Sequence, residues 1–182
     1  MNKKLVVIGG GAAGFFCAVN SAQMHPQLDV VILEKTGKLL SKVKVSGGGR
    51  CNVTHACFSI AEMIKKYPRG AAFLKKAFCH FFTTDTIQWF SERGVALKTE
   101  ADGRMFPVTN NSETVINCLL NEAAKYNVQI EMNTDVKENV KKNDQWGLHT
   151  ASGKMIEADM VCITSGGSPK NAKFDWLIKI GL

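Results

Sequence analysis

No two of the six cysteines are spaced as a Cys-x-x-Cys unit, no His-x-x-x-His unit accompanies them, and no apolar run is long enough for a membrane span. Cys17, Cys51, Cys57, Cys79, Cys118 and Cys162 lie scattered through apolar or loop segments. That pattern speaks against a disulfide framework and for reduced thiols in the cytoplasm. Cys51, His55, Cys57, Cys79 and His80 are close in sequence, but their spacing does not suit zinc, and no metal is expected. Internal repeats and low-complexity tracts are also lacking. With 182 residues, 45% of them hydrophobic and 21% charged, the chain can bury a core as one globular domain with a small lobe.

Met1 to Lys4 followed by the apolar stretch Leu5 to Val19 superficially resembles a signal peptide, but three consecutive glycines interrupt it. Acidic residues are scarce in one region. From Lys35 to Thr84 there are ten basic residues and one acid, Glu62, which gives +9 there and, from a total of +7, −2 elsewhere. An anionic partner suits this stretch: a dinucleotide, a nucleic acid backbone or an acidic protein surface. A solvated basic face is the plainer alternative.

The periodicities predict an α/β fold. Lys4 to Ile8 reads as a strand, Gly9 to Gly11 as a tight turn, Ala12 to about Met24 as a helix, and Asp29 to Glu34 as a second buried parallel strand. Residues 35 to 54 read as a loop rich in Gly, Lys and Ser. A helical insertion follows at about Ile60 to Lys66, Ala71 to Phe82 and Asp85 to Arg93, with Gly94 as a left-handed stop. The aromatics Phe78, Phe81, Phe82, Trp89 and Phe90 have helical spacing, which favours core packing over base stacking. Val95 to Thr99 and Arg104 to Phe106 form a hairpin across Asp102-Gly103, and Ser112 caps an amphipathic helix. Then come the strand Val128 to Met132, an antiparallel meander over Val136 to Glu157, a buried strand from Asp159 to Thr164, and an amphipathic piece from Phe174 to Leu182.

Gly9-Gly10-Gly11-Ala12-Ala13-Gly14 contains G-x-G-x-x-G between a strand and a helix, the context the motif needs. Gly9 permits the turn, Gly11 lets the backbone approach a diphosphate, Gly14 lets the helix pack closely, and the N–H groups of the first turn face the phosphates. Glu34, twenty residues after Gly14, can accept hydrogen bonds from ribose hydroxyls. That favours an unphosphorylated ribose, as in FAD or NAD, with Lys35 adding attraction. In the loop Lys42 to Thr54, Gly47, Gly48 and Gly49 give a backbone able to wrap a flat or anionic group, with Arg50 and Lys42 supplying charge. Cys51 has no partner at disulfide-exchange spacing, and Arg104 on the hairpin suits either an anion or a structural pairing.

The sequence resembles the two-dinucleotide-binding-type flavoproteins, and within them the BaiN-type or aminoacetone-oxidase-like FAD-binding enzymes. The resemblance covers essentially the whole chain. It rests on Val7 to Gly14, on Glu34-Lys35, on Lys44 to Thr54 with its Gly-Gly-Gly-Arg-Cys-Asn run, on Gly103-Arg104-Met105-Phe106-Pro107, and on Thr164-Ser165-Gly166-Gly167-Ser168. It implies a Rossmann-like FAD-binding domain with a parallel sheet, an antiparallel meander and a helical insertion. FAD would bind extended, touching Gly9, Gly11, Ala12, Ala13, Gly14, Glu34, Lys35 and Lys42. Gly48, Gly49, Arg50, Cys51 and Asn52 would lie beside the cofactor, the backbone at Asp135 and Val136 near adenine, and Thr164 and Gly166 on the phosphate side.

Members of that family are about twice as long, so the resemblance implies an amino-terminal portion, an incomplete FAD domain. Residues 1–37 would form the βαβ unit, 38–111 the loop, insertion and hairpin, 112–167 the helix, meander and return strand, and 168–182 the start of a continuing segment. The missing carboxyl-terminal part of the same protein would then be a partner. The expected function is FAD-dependent oxidation or reduction of a small molecule, with NAD(P)H as a candidate reductant and no catalytic acid or base assignable. No membrane or nucleic acid partner is expected, although the basic stretch keeps an RNA-acting flavoprotein as an alternative. A non-catalytic nucleotide-binding module is a third reading.

Overall fold

A computed structural model of the chain describes residues 2–167; the piece expected at Phe174 to Leu182 lies outside them. In chain order the elements are β1 (Lys4–Ile8), α1 (Ala12–Met24), β2 (Asp29–Leu33), α2 (Ser41–Gly49), β3 (Thr54–His55), α3 (Ile60–Ile64), α4 (Ala71–Phe78) and α5 (Thr83–Ser91). There follow β4 (Leu97–Thr99), β5 (Arg104–Pro107), α6 (Ser112–Lys125), β6 (Gln129–Glu131), β7 (Val136–Lys142), β8 (Gln145–Thr150), β9 (Met155–Ala158) and β10 (Met160–Ile163). They divide into two compact units, one of residues 2–42 with 119–167 and the other Val43–Cys118. Among the described residues no helix is long and apolar enough to cross a membrane.

The first unit is built on a parallel sheet in the order β10-β1-β2-β6. Its strands alternate between two buried faces, which is why β1 and β2 are nearly continuous runs of Val, Ile and Leu. Val6, Ile8, Val31 and Leu33 pack with Val136, Leu148, Ile156 and Ala158 of the antiparallel meander β7-β8-β9. The opposite face takes α1, whose Phe15, Ala18, Val19 and Ala22 are buried. Burying a side chain such as Phe15 contributes about 2–3 kcal/mol, so this helix is fixed by packing. The meander is where the sequence placed it. The return strand β10 is half-buried rather than buried, since it stands at the edge of the sheet among the described residues.

In the second unit β3, β5 and β4 form an antiparallel sheet, and β3 went unseen in the sequence because two residues carry no periodicity. The segment read as a loop begins instead with a helical turn at Ser41, which breaks at Ser46 (ψ 147°) into left-handed Gly47 and Gly48. Helix α4 stops at Phe78, short of Phe82. The next helix starts at Thr83, because the Asp85 carboxylate accepts the Phe82 N–H at 2.7 Å and caps its first turn. Phe82, Trp89 and Phe90 are buried as expected of core aromatics, whereas Phe81 is exposed. Gly94 has the left-handed φ of 76° expected of a stop.

Helix α6 carries its apolar stripe on Val115, Ile116, Leu119 and Ala123, all buried. Its cap is not Ser112. The Asn111 side chain accepts the Glu113 N–H at 2.9 Å, and the Ser112 hydroxyl donates instead to the Lys44 carbonyl.

Candidate functional site: the glycine turn and the arginine loop

The carboxyl ends of β1, β2, β6 and β10 lie side by side, and the segments leaving them form the candidate site of the first unit. Gly9 turns the chain at φ 119° and donates its N–H to the Leu33 carbonyl at 2.8 Å. A Cβ there would stand 2.6 Å from the Thr164 carbonyl oxygen, so only glycine fits. Gly14 is bound more tightly still, its Cβ position lying 1.9 Å from the Gly9 carbonyl oxygen. Gly11 is the opposite case. It precedes α1 without any side-chain cap, no acid occupies the first turn, and a Cβ on it would meet nothing within 4 Å. An uncapped helix start facing open space leaves main-chain N–H groups without a side-chain partner, the arrangement in which helix N-termini receive anions.

Glu34 follows β2 and is tied to this turn. Its Oε2 accepts the Gly10 N–H at 2.9 Å, while Oε1 accepts the Thr36 N–H and hydroxyl at 2.9 and 2.8 Å. The carboxylate is thereby aimed before any sugar arrives, with lone pairs left to accept from hydroxyls. Thr36 escaped the sequence reading, as did the tie of Gly10 to Glu34; a Thr two residues after an acid is the local turn pattern that could have flagged the first. The Glu34 main chain pairs with Glu131 and Thr134, which sets Asp135 beside it. Asp135 gives its carbonyl to the Ala151 N–H and its carboxylate to Lys137 at 2.6 Å, and the Val136 side chain is buried in the core. Thr164 donates its hydroxyl to the Ile8 and Gly9 carbonyls at 2.9 and 3.1 Å, so it braces the turn. Lys35 and Lys42 are exposed, and Lys42 Nζ is 3.4 Å from where a Gly166 Cβ would sit.

Gly48, Gly49, Arg50, Cys51 and Asn52 belong to the second unit. Here Gly47, Gly48, Gly49 and Cys51 all have positive φ, from 57° to 85°. The hairpin strand β5 is the mould for this loop. Val53 donates its N–H to the Met105 carbonyl, Asn52 donates its amide to the Met105 and Thr54 carbonyls, and a Cβ on Gly47 would strike Phe106 at 2.7 Å. The Arg50 guanidinium lies 4.0 Å over the Phe106 ring and forks onto Glu100, with Nη2 to Oε2 at 3.4 Å. Arg104 pairs with Asp102 at 2.7 Å and reaches Glu100 at 3.8 Å. Its guanidinium also lies 5.5 Å from the centre of the Phe106 ring, so its alternatives resolve towards structural pairing. The Arg104 backbone N–H, followed by its side chain, holds the Asp102 carboxyl below the usual range. Burial pushes the Cys51 thiol up against the opposing hydrogen bond with Ser46, so Cys51 stays protonated at neutral pH. Glu100 and Phe106 were not singled out in the sequence as partners of Arg50, since nothing local links positions 50 residues apart.

The family model for the HI0933-like protein Rossmann domain matches residues 3–172. The chain belongs to this family. The chain is similar to the ribosomal RNA dihydrouridine synthase of Escherichia coli K12, 26% identical over 89% of this chain and 39% of its own length. Another is the 3-dehydro-bile acid delta(4,6)-reductase of Clostridium scindens, 27% identical over 90% of this chain and 39% of its own. The chain thus spans about two fifths of these relatives. A flavocytochrome c3 fumarate reductase shares the fold with a TM-score of 0.68 at 18% identity, over 94% of this chain and 35% of that one. CtdE, solved in complex with FAD and a substrate, does so with a TM-score of 0.51 at 17% identity, over 90% and 38%. The HI0933-like chain therefore has a Rossmann-type α/β fold that it shares with these structures, as the sequence resemblance implied.

Proposed function

We propose that the chain supplies the FAD site of an oxidoreductase that moves hydride between a small-molecule substrate and the flavin, with NAD(P)H as the reductant. One observation carries the reading: the open space in front of Gly11 at an uncapped helix start, next to a Glu34 carboxylate already hooked to the same turn. The residues fit a dinucleotide. Gly11, Ala12 and Ala13 would offer main-chain N–H groups to the diphosphate, and Glu34 would take the ribose hydroxyls, repelling a 2′-phosphate. Lys42 and Gly166 would close the phosphate side, and the Asp135-Val136 backbone would face the adenine. Bound flavin supplies the redox chemistry. This chain's own part is to bind, orient and shield. A reducing cytoplasmic setting goes with this reading, supported by six cysteines with no Cys-x-x-Cys spacing among them.

The test is to purify the full chain, titrate it with FAD, and add NADH or NADPH. Flavin binding with bleaching of its colour supports an enzyme; a colourless protein that ignores FAD removes the proposal. That colourless outcome favours the non-catalytic module instead.

A second reading has its own observation. Ten cations against one acid between Lys35 and Thr84, together with a relative named for ribosomal RNA, favour an RNA-acting flavoprotein. RNA retention that weakens steeply with salt would support it, and no retention at low salt would exclude it.

A further inference from the structure

Two thiols in the first unit meet at a place the nucleotide reading does not use. Gly14 of α1 stands against Thr164, for its Cβ position is 2.9 Å from Thr164 Oγ1. From that contact α1 and β10 run back together beneath the turn. Three residues along a helix return to the same face after a rise of roughly 4.5 Å. Two residues back along a strand do the same over roughly 6.6 Å. Those steps lead from Gly14 to Cys17 and from Thr164 to Cys162, which pairs with Val7 in the sheet. Cys17 lies near enough for its sulfur to act on the Cys162 thiol, and both are half-buried. Small residues on this side of the helix, Gly14 and Ala18, let its backbone come close to the strand.

We propose that Cys17 and Cys162 are an oxidative modification site, a thiol pair that peroxide converts to a disulfide. The Cys17 thiolate attacks one peroxide oxygen, the O–O bond breaks, and Cys17 becomes a sulfenic acid as hydroxide leaves and takes up a proton to give water. The Cys162 sulfur then attacks Cys17 Sγ, the S–O bond breaks, and a second water carries off the Cys162 proton. Two thiols thus lose two electrons and two protons, and one peroxide becomes two waters. Burial, with the neighbouring Cys17 sulfur, pushes the Cys162 thiol up to about 11. Cys162 is thus the weaker first nucleophile and attacks second, losing its proton as its sulfur bonds to Cys17. The bridge would join the helix that begins at the phosphate cradle to the strand that leads into Thr164. Oxidation would then act on that cradle, a consequence that rests on the proposed FAD site.

Peptide mapping tests the site without any flavin. The reduced full chain is treated with hydrogen peroxide, capped with N-ethylmaleimide, digested without reductant and analysed by mass spectrometry. The expected result is a Cys17–Cys162 linked peptide as the dominant disulfide, reversed by dithiothreitol and absent from C17S and C162S. In C162S, dimedone should trap sulfenic acid at Cys17. If both thiols remain open to capping while exposed Cys79 is already oxidised, or if Cys79 forms disulfides as readily, the proposal is overturned. The coupling is read separately. FAD affinity should fall tenfold or more on oxidation of the wild type and stay constant in C17S. A linked peptide with unchanged affinity would refute the coupling alone.

Discussion

Gly11 and Gly14 are the same residue type three positions apart, yet they answer to different constraints. Gly14 has no room for a methyl group against the Gly9 carbonyl, so Gly14→Ala should lower stability by about 1–3 kcal/mol. Thermal unfolding should then shift down by several degrees. Gly11 has open space and an ordinary φ of −93°. Gly11→Ala should leave the melting temperature unchanged while weakening FAD binding, and Gly11→Val should abolish binding. Glu34→Gln should weaken it about tenfold, the loss of about 1.5 kcal/mol of charge-assisted hydrogen bonding. Isothermal titration beside a melting curve separates these effects. A Gly11→Ala protein that melts early but binds normally would invert the assignment.

At the scale of elements, the meander holds one unexplained cost. Asn139 of β7 is buried, and neither its Oδ1 nor its Nδ2 finds a hydrogen-bond partner. A buried amide left unsatisfied costs about 1–3 kcal/mol, so Asn139→Leu should raise the melting temperature; a lower one would mean that the amide is satisfied. The elements best legible in the sequence were those with a strong period. Helix α6 shows it in its apolar stripe, while β1 and β2 were legible as short continuous apolar runs and the meander from the turns at Asn143-Asp144 and Ser152-Gly153. What could not be read depends on distant partners. The two residues of β3 pair only because β5 lies beside them, and Arg50 is fixed by Glu100 and Phe106 from across the hairpin. The candidate site divides the same way. Its glycines and Glu34 were visible as a motif, whereas the latch of Thr164 onto Gly9, 155 residues away, belongs to the folded sheet alone.

For the molecule as a whole, the central claim is that main-chain amides at the start of α1 hold a diphosphate while Glu34 holds the adjoining sugar. Net charge alone predicts attraction for polyanions generally, so binding of FAD must be distinguished from binding of RNA. FAD affinity should persist at high salt, because short, partly buried contacts are screened little, while retention through the basic stretch should vanish. The most direct measurement is a crystal structure of the full chain grown with FAD. The account predicts diphosphate oxygens within hydrogen-bond distance of the amides at Gly11 to Ala13 and a ribose hydroxyl on Glu34. An empty cradle, or FAD bound elsewhere with Glu34 still turned wholly to Gly10 and Thr36, would contradict it.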